Sequence, residues 1–134
     1  MFAQVPSIKN RLATALGAAW LVVDGTEPQD RRELPRADVR LAGAAIASTS
    51  GPGVLMQARY TVRLVVDAQG STTPFALLDS AVTTAIAALH YWRPEGANAR
   101  LTLQDMAEAD FMDASLFGYD MAFTLSVQRD GSND

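Results

Sequence analysis

The sequence contains no cysteine, a single histidine (His90) and a single lysine (Lys9). The absence of cysteine excludes disulfides, thiolate nucleophiles and zinc–thiolate sites, and it favours a reducing compartment. One histidine excludes metal sites that need two, such as an H-x-x-x-H pair on a helix. A phosphate loop of the form G-x-x-x-x-G-K-[ST] is also missing, because Lys9 has no such motif around it. The sequence therefore offers few groups from which a catalytic centre could be built.

Positive charge is also scarce. Eleven basic residues stand against fifteen acidic ones, which gives a net charge of −4, and 49% of the residues are hydrophobic. This balance is typical of a globular protein, and its sign disfavours binding to nucleic acids or to anionic membranes. DNA could still pass through a ring of such a protein without specific binding. At 134 residues we expect one domain over 1–129 and a flexible tail over 130–134.

The longest early hydrophobic run, Leu12–Val23, resembles a secretory signal because it follows two basic residues. No small-residue cleavage site follows it, and the run is too short to span a bilayer. We therefore predict a cytoplasmic protein with no membrane partner.

Hydrophobic spacing predicts seven elements in the order α-β-β-β-α-β-β. A helix begins near Pro6, and the short strand "WLVVDG" follows it. The next segment, 26–38, combines two prolines with many charges, which predicts a solvated loop.

A long hairpin is the main feature of the central sequence. Two runs flank "GPG": "VRLAGAAIASTS" and "VLMQARYTVRLVVD". In the second run, Tyr60, Val62 and Leu64 alternate with polar residues, as in a half-buried strand. Twelve residues of strand extend ~40 Å, about twice the usual length, so the outer half should need a partner beyond the domain's own core.

A second helix and two closing strands complete the prediction. Apolar residues recur at helical spacing after Pro74, in the stripe Phe75, Leu78, Val82, Ile86 and Leu89. The closing strands are "ARLTLQDM" and the strictly alternating "GYDMAFTLSVQ". The fold class is therefore α+β: an antiparallel sheet of four to five strands with both helices on one face.

Two groups of polar residues deserve a test as functional sites. Five carboxylates cluster in one stretch, but without calcium-loop spacing: Asp105, Glu108, Asp110, Asp113 and Asp120. The stretch "ALHYWRPEG" brings His90 beside Tyr91, Trp92 and Arg93, yet base stacking would need more cationic neighbours. We interpret the carboxylates as a solvated loop and the second stretch as the end of a helix. The sequence therefore predicts no catalytic residue, metal ligand or cofactor site.

The remaining signal is architectural. An N-terminal helix precedes the long hairpin, and "YTVRLVVDAQG" leads through a turn to the helix "FALLDSAVTTAIAAL". This order and length, over nearly the whole chain, resemble the tail terminator (tail completion) proteins of tailed bacteriophages and phage-like particles. The resemblance implies a structural, non-enzymatic protein of the virion that forms a ring, a homohexamer, at the head-tail junction. Its partners would be itself, the tail tube protein and the head-tail connector or stopper protein. The subunit would be cytoplasmic during assembly and would then belong to the viral tail.

We predict the subunit or tube interface in two places. The outer hairpin offers small side chains and two larger apolar ones: Ala44, Ala45, Ala47, Ser48, Thr49, Ser50, Leu55 and Met56. A second set interleaves with the carboxylates: Phe111, Met112, Leu116 and Phe117. Two alternatives remain open. One is a head-closure or neck protein of the same particle, and the other is a small α+β ligand-binding module or enzyme.

Overall fold

The computed structural model of the chain describes residues 1–24, 34–68, 74–109 and 115–130. Within them the secondary structure follows the predicted order: α1 (Gln4–Leu16), β1 (Leu21–Asp24), β2 (Arg36–Ser50), β3 (Gly53–Asp67), α2 (Pro74–Leu89), β4 (Thr102–Glu108) and β5 (Leu116–Asp130). The α+β class and the long β2–β3 hairpin are confirmed.

The described strands form one five-stranded sheet in the order β1-β2-β3-β5-β4. All neighbours are antiparallel except β1 and β2, which run parallel from Leu21↔Arg36 to Asp24↔Val39. The sheet is therefore mixed, whereas an antiparallel sheet was predicted. Alternation in a sequence reports which face a side chain occupies, not the direction of the neighbouring strand, so this pair could not be foreseen.

Helix α1 is amphipathic and ends at a glycine. Ile8 and Leu12, one turn apart, are fully buried. Gly17 follows the helix with φ of 85°, a left-handed conformation that favours glycine, and its N–H donates to the Ala13 carbonyl at 3.0 Å. The helix therefore stops where the chain must turn toward β1.

Helix α2 is buried along a face that differs from the predicted stripe. Its buried residues are Leu78, Ala81, Ala85, Ala88 and Leu89, while Val82 and Ile86 are half-buried. Phe75 was predicted to be in the core but is 69% exposed. The alanines leave little bulk between the helices, so α1 packs closely on α2, and Arg11 Nε donates to the Ala88 carbonyl at 2.7 Å.

The core lies between the helices and one face of the sheet, as the alternation predicted. β3 contributes five fully or almost fully buried residues to this face, Ala58, Tyr60, Val62, Leu64 and Val66, and β5 contributes Met121, Phe123 and Leu125. Val65 points to the opposite face and is nevertheless fully buried. Burial of each large apolar side chain stabilises the fold by about 1.5–3 kcal/mol.

Two boundaries differ from the prediction. β2 begins at Arg36, so residues 36–38 of the predicted loop belong to a strand and are buried. β5 extends to Asp130, so the backbone of the first predicted tail residue is paired with β3. No helix in the described ranges is long and apolar enough to cross a membrane.

Candidate assembly surface

The outer part of the sheet projects as an arm, defined here as residues 42–57 of β2 and β3 together with residues 126–130 of β5. The sequence predicted that the outer half of the hairpin needs a partner beyond the domain's own core, but a strand of the same chain already pairs with it. β3 pairs with β5 along its whole length, from Gly53↔Asp130 to Asp67↔Leu116. The arm therefore has three strands, which stabilises it beyond what an isolated hairpin achieves.

The tip of the arm is a tight turn. Ser50 pairs with Gly53, which leaves Gly51 and Pro52 as a two-residue loop, and Gly51 has φ of 56°. Glycine at the first of two loop residues suits hairpin turns, because that position needs a positive φ. The strands therefore remain paired up to the tip.

The two faces of the arm differ in polarity. On the helix side, one row across the sheet joins Ile46, Met56 and Val127. On the opposite face, the adjacent row joins Ala45, Gln57 and Ser126, and Gln57 Nε2 donates to Ser126 Oγ at 2.8 Å. The first row continues the hydrophobic face of the domain from Val127, which packs against the core, to exposed Ile46.

The predicted interface residues of β2 are all exposed: Ala44, Ala45, Ala47, Ser48, Thr49 and Ser50. Leu55 is 38% exposed, and Met56 is half-buried. Sequence reasoning missed Ile46, which is 60% exposed and is the largest apolar side chain of the β2 part of the arm. The sequence did carry a signal for Ile46, because it is the single large aliphatic residue in a run of small ones.

The base of the arm is fixed to the N-terminus. Tyr60 is fully buried, and its hydroxyl donates to the Met1 carbonyl at 2.5 Å. Burial raises the pKa of Tyr60 to about 12, because the charged phenolate would lose its hydration. The pKa of the Met1 amino group is lowered by burial and by the positive charge of Arg129.

A cleft of about 410 Å³ lies beside this base. It is lined by α1, by the 96–99 turn and by the outer end of β5, including Gln4, Gly96 and Arg129. The Oε1 atom of Gln4 is buried there without a hydrogen-bond partner.

The second predicted interface set is only partly described. Leu116 and Phe117 lie half-buried at the start of β5, while Phe111 and Met112 lie outside the described residues. Phe117 contacts exposed Phe75 edge-to-face, with ring centroids 4.9 Å apart. With Met106, which is 41% exposed, these rings form an apolar patch on the β4 side of the sheet.

The carboxylates do not form a site in the described part of the chain. Asp105 and Glu108 are exposed on β4, and Asp110 and Asp113 fall outside the described residues. Asp120 accepts two hydrogen bonds from Arg63, at 2.7 and 2.9 Å, on the sheet face away from the helices. This hydrogen bond raises the pKa of Arg63. Within the described ranges, no three histidine or acidic residues are grouped to hold a metal ion.

The stretch around His90 follows the end of α2 at Leu89. The Nδ1 atom of His90 accepts a hydrogen bond from the Leu103 N–H at 3.0 Å, so the ring ties the helix end to β4. Arg100 lies over the ring of Tyr91, 4.7 Å from its centroid, and Arg11 lies over Trp92 at 4.9 Å. These contacts connect neighbouring elements of the same domain.

Comparison with known proteins gives a likeness in fold. No protein-family model matches the chain, and no curated protein matches it. Among solved structures, the chain is similar to one from the virion of a native gene transfer agent particle. The TM-score is 0.64 at 19% identity, and the alignment covers 92% of this chain and 93% of that one. The two chains therefore share a fold over nearly their whole lengths.

Proposed function

We propose that this protein is a structural component of a phage-like particle, and specifically the tail terminator that forms a ring on the end of the tail tube. The observation that carries the proposal is the arm, a three-stranded projection whose hydrophobic side runs from the core to exposed Ile46. A monomer leaves Ile46 exposed there. A neighbouring subunit or the tube would remove this surface from water, which is favourable in proportion to the apolar area buried.

The likeness to a chain of a gene transfer agent virion supports the same class of particle. In our proposal, six copies form the ring, one side contacts the tail tube protein, and the other contacts the head connector or stopper. DNA passes through the ring without sequence-specific contacts, which suits a chain of net charge −4. The role requires no catalysis, and a stoichiometric transition metal in the purified protein would contradict that part of the proposal.

Electron microscopy of particles assembled without this protein is the direct test. Tubes of uncontrolled length, restored to normal length by adding the protein, are the expected result. A head-closure or neck protein would instead leave tails of normal length that fail to join heads. Tails that are normal and joined to heads in its absence would contradict both roles.

The arm can be tested by shortening it. Removing Ser48–Val54 and closing the hairpin with Asn-Gly should preserve the core, because that dipeptide suits a two-residue turn. The same change should abolish tail completion, since it removes the outer half of the arm. The matched control keeps the full length and replaces only Gly51-Pro52 by Asn-Gly, and it should complete tails normally. Normal tails from the shortened protein would show that the arm has no such role.

A further inference from the structure

In the described part of the chain, the arm has an unpaired backbone edge on each side. β1 pairs with β2 only as far as Val39, so no described strand lies outside β2 from Arg40 to Ser50. On the other side, β4 pairs with β5 only between Tyr119 and Thr124. No described strand lies outside β5 from Leu125 to Asp130. Among the described residues, no strand occupies either edge, and the 96–99 turn lies beside the outer end of β5 across the cleft. Unpaired N–H and C=O groups along a strand edge are a template for pairing with another chain.

The β2 edge has few of the features that protect sheet edges in monomers. Between Leu41 and Ser50 it contains no charged residue and no proline. It extends ~33 Å at ~3.3 Å per residue, which is long for an edge. Two register shifts, at Ala42 and Ala47, are the only irregularities in its pairing with β3. A long, uncharged edge of this kind is suited to pairing with a further strand.

We propose that, in the ring, the free edge of β2 in one copy pairs with the free edge of β5 in the next copy. The arms then join into one closed sheet around the channel. This inference rests on the proposed function and names the contact by which that ring closes. It commits to a second copy as the partner because the same arm carries both complementary edges.

Strand direction favours this head-to-tail contact. β2 and β5 are both antiparallel to β3, so both run toward the tip of the arm. Rotation about an axis along the arms therefore places β5 of one copy beside β2 of the next, in parallel. Pairing β2 with β2 of a second copy would use one edge, leave the β5 edge open and stop at a dimer. A closed ring satisfies both edges in every copy.

The heights of the two edges along the arm match. Ala45, Gln57 and Ser126 lie in one row, and Ser48, Leu55 and Gln128 lie in another. With arms parallel to the ring axis, Ser126 of one copy therefore lies level with Ala45 of the next. A tilt of the strands would move Ser126 of one copy toward Ser48 of the next, which lies on the same sheet face as Ala45. The Ile46 rows would meet on the opposite face and form a continuous apolar band.

Disulfide trapping tests this arrangement cleanly, because the chain has no cysteine of its own. Two double variants place both cysteines on the same face: Ala45→Cys with Ser126→Cys, and Ser48→Cys with Ser126→Cys. Oxidation in assembled particles should give a ladder of covalent multimers from at least one of them. The matched control, Ala44→Cys with Ser126→Cys, puts the cysteines on opposite faces and should cross-link on the order of tenfold less.

Two results would overturn the inference. Covalent dimers from Ala45→Cys alone would indicate β2–β2 pairing. Absence of multimers from both same-face pairs, in particles with normal tails that contain the protein, would exclude the β2–β5 contact while leaving the terminator role intact. Conversely, normal tails without the protein would refute the terminator role, whatever the cross-linking of the purified protein.

Discussion

Replacing Tyr60 by phenylalanine should change the response of the domain to pH as well as its stability. Tyr60 lies at the base of the arm, is fully buried and donates a hydrogen bond to the Met1 carbonyl. The Tyr60→Phe variant keeps the ring and its packing but removes this donor. The expected loss at neutral pH is about 1 kcal/mol of unfolding free energy, the usual net contribution of one hydrogen bond.

The pH dependence follows from the raised pKa of Tyr60, about 12 in the folded state against 10 ordinarily. The folded state favours the neutral phenol, so this preference stabilises the protein fully below pH 10 and is lost as the pH rises toward 12. The difference in pKa corresponds to about 2.7 kcal/mol. Tyr60→Phe has no such loss. The deficit in unfolding free energy of Tyr60→Phe relative to wild type should therefore shrink above pH 10 and change sign at about pH 11.

Urea denaturation of both proteins between about pH 8 and 11.5 measures this crossing. Tyr91→Phe is the matched control, because that side chain is 65% exposed and its replacement should cost less than about 0.5 kcal/mol at neutral pH. A constant difference between wild type and Tyr60→Phe over the whole range would refute the reasoning. It would mean that the hydroxyl is not held neutral inside the folded domain.

Three further substitutions test other parts of the fold. His90→Ala should cost about 1 kcal/mol in urea denaturation, for one hydrogen bond to Leu103, and should leave particle assembly intact; a folded variant that yields no particles would contradict this. Phe123→Asp should give no folded protein by circular dichroism, since an unpaired carboxylate in the core costs several kcal/mol, and a native spectrum would contradict the core assignment. Arg63→Ala should destabilise the domain by up to about 1 kcal/mol, because the ion pair with Asp120 is partly exposed. Adding Asp120→Ala should cost little more in urea denaturation. A larger, additive loss would show that the two residues are not coupled.

Alternating sequence patterns predicted the core of the sheet but not its neighbours. The buried residues of β3 and β5 follow directly from the period of two, because one face of each strand lies under the helices. That period does not say which strands pair, so the third strand of the arm was missed. Phe75 was misplaced because helical spacing cannot reveal that the first turn of α2 lies at the edge of the core, where its ring contacts Phe117.

The exposure of the outer hairpin was predictable, while its role as an interface stays a prediction. The small, uncharged residues of the outer hairpin marked it, since they cannot build a core of their own. The prediction rested on the small residues of this run, and it therefore left out Ile46, which is exposed among them. The unpaired edges could not be predicted, because they depend on where β1 and β4 stop pairing. The ends of helices and strands are poorly defined by sequence.

The third strand of the arm has a consequence for the order of folding. β2 and β3 adjoin in the chain and can form their hairpin early, whereas β5 is the last strand in the order and pairs residues as distant as Gly53 and Asp130. Closing such a long loop costs more chain entropy than closing the hairpin, so we expect β5 to pair with β3 after β2 does. Until β5 pairs, the outer edge of β3 lacks a partner, and an unpaired edge is a template for pairing with other chains. In the described sheet, β5 covers this edge along the whole length of β3.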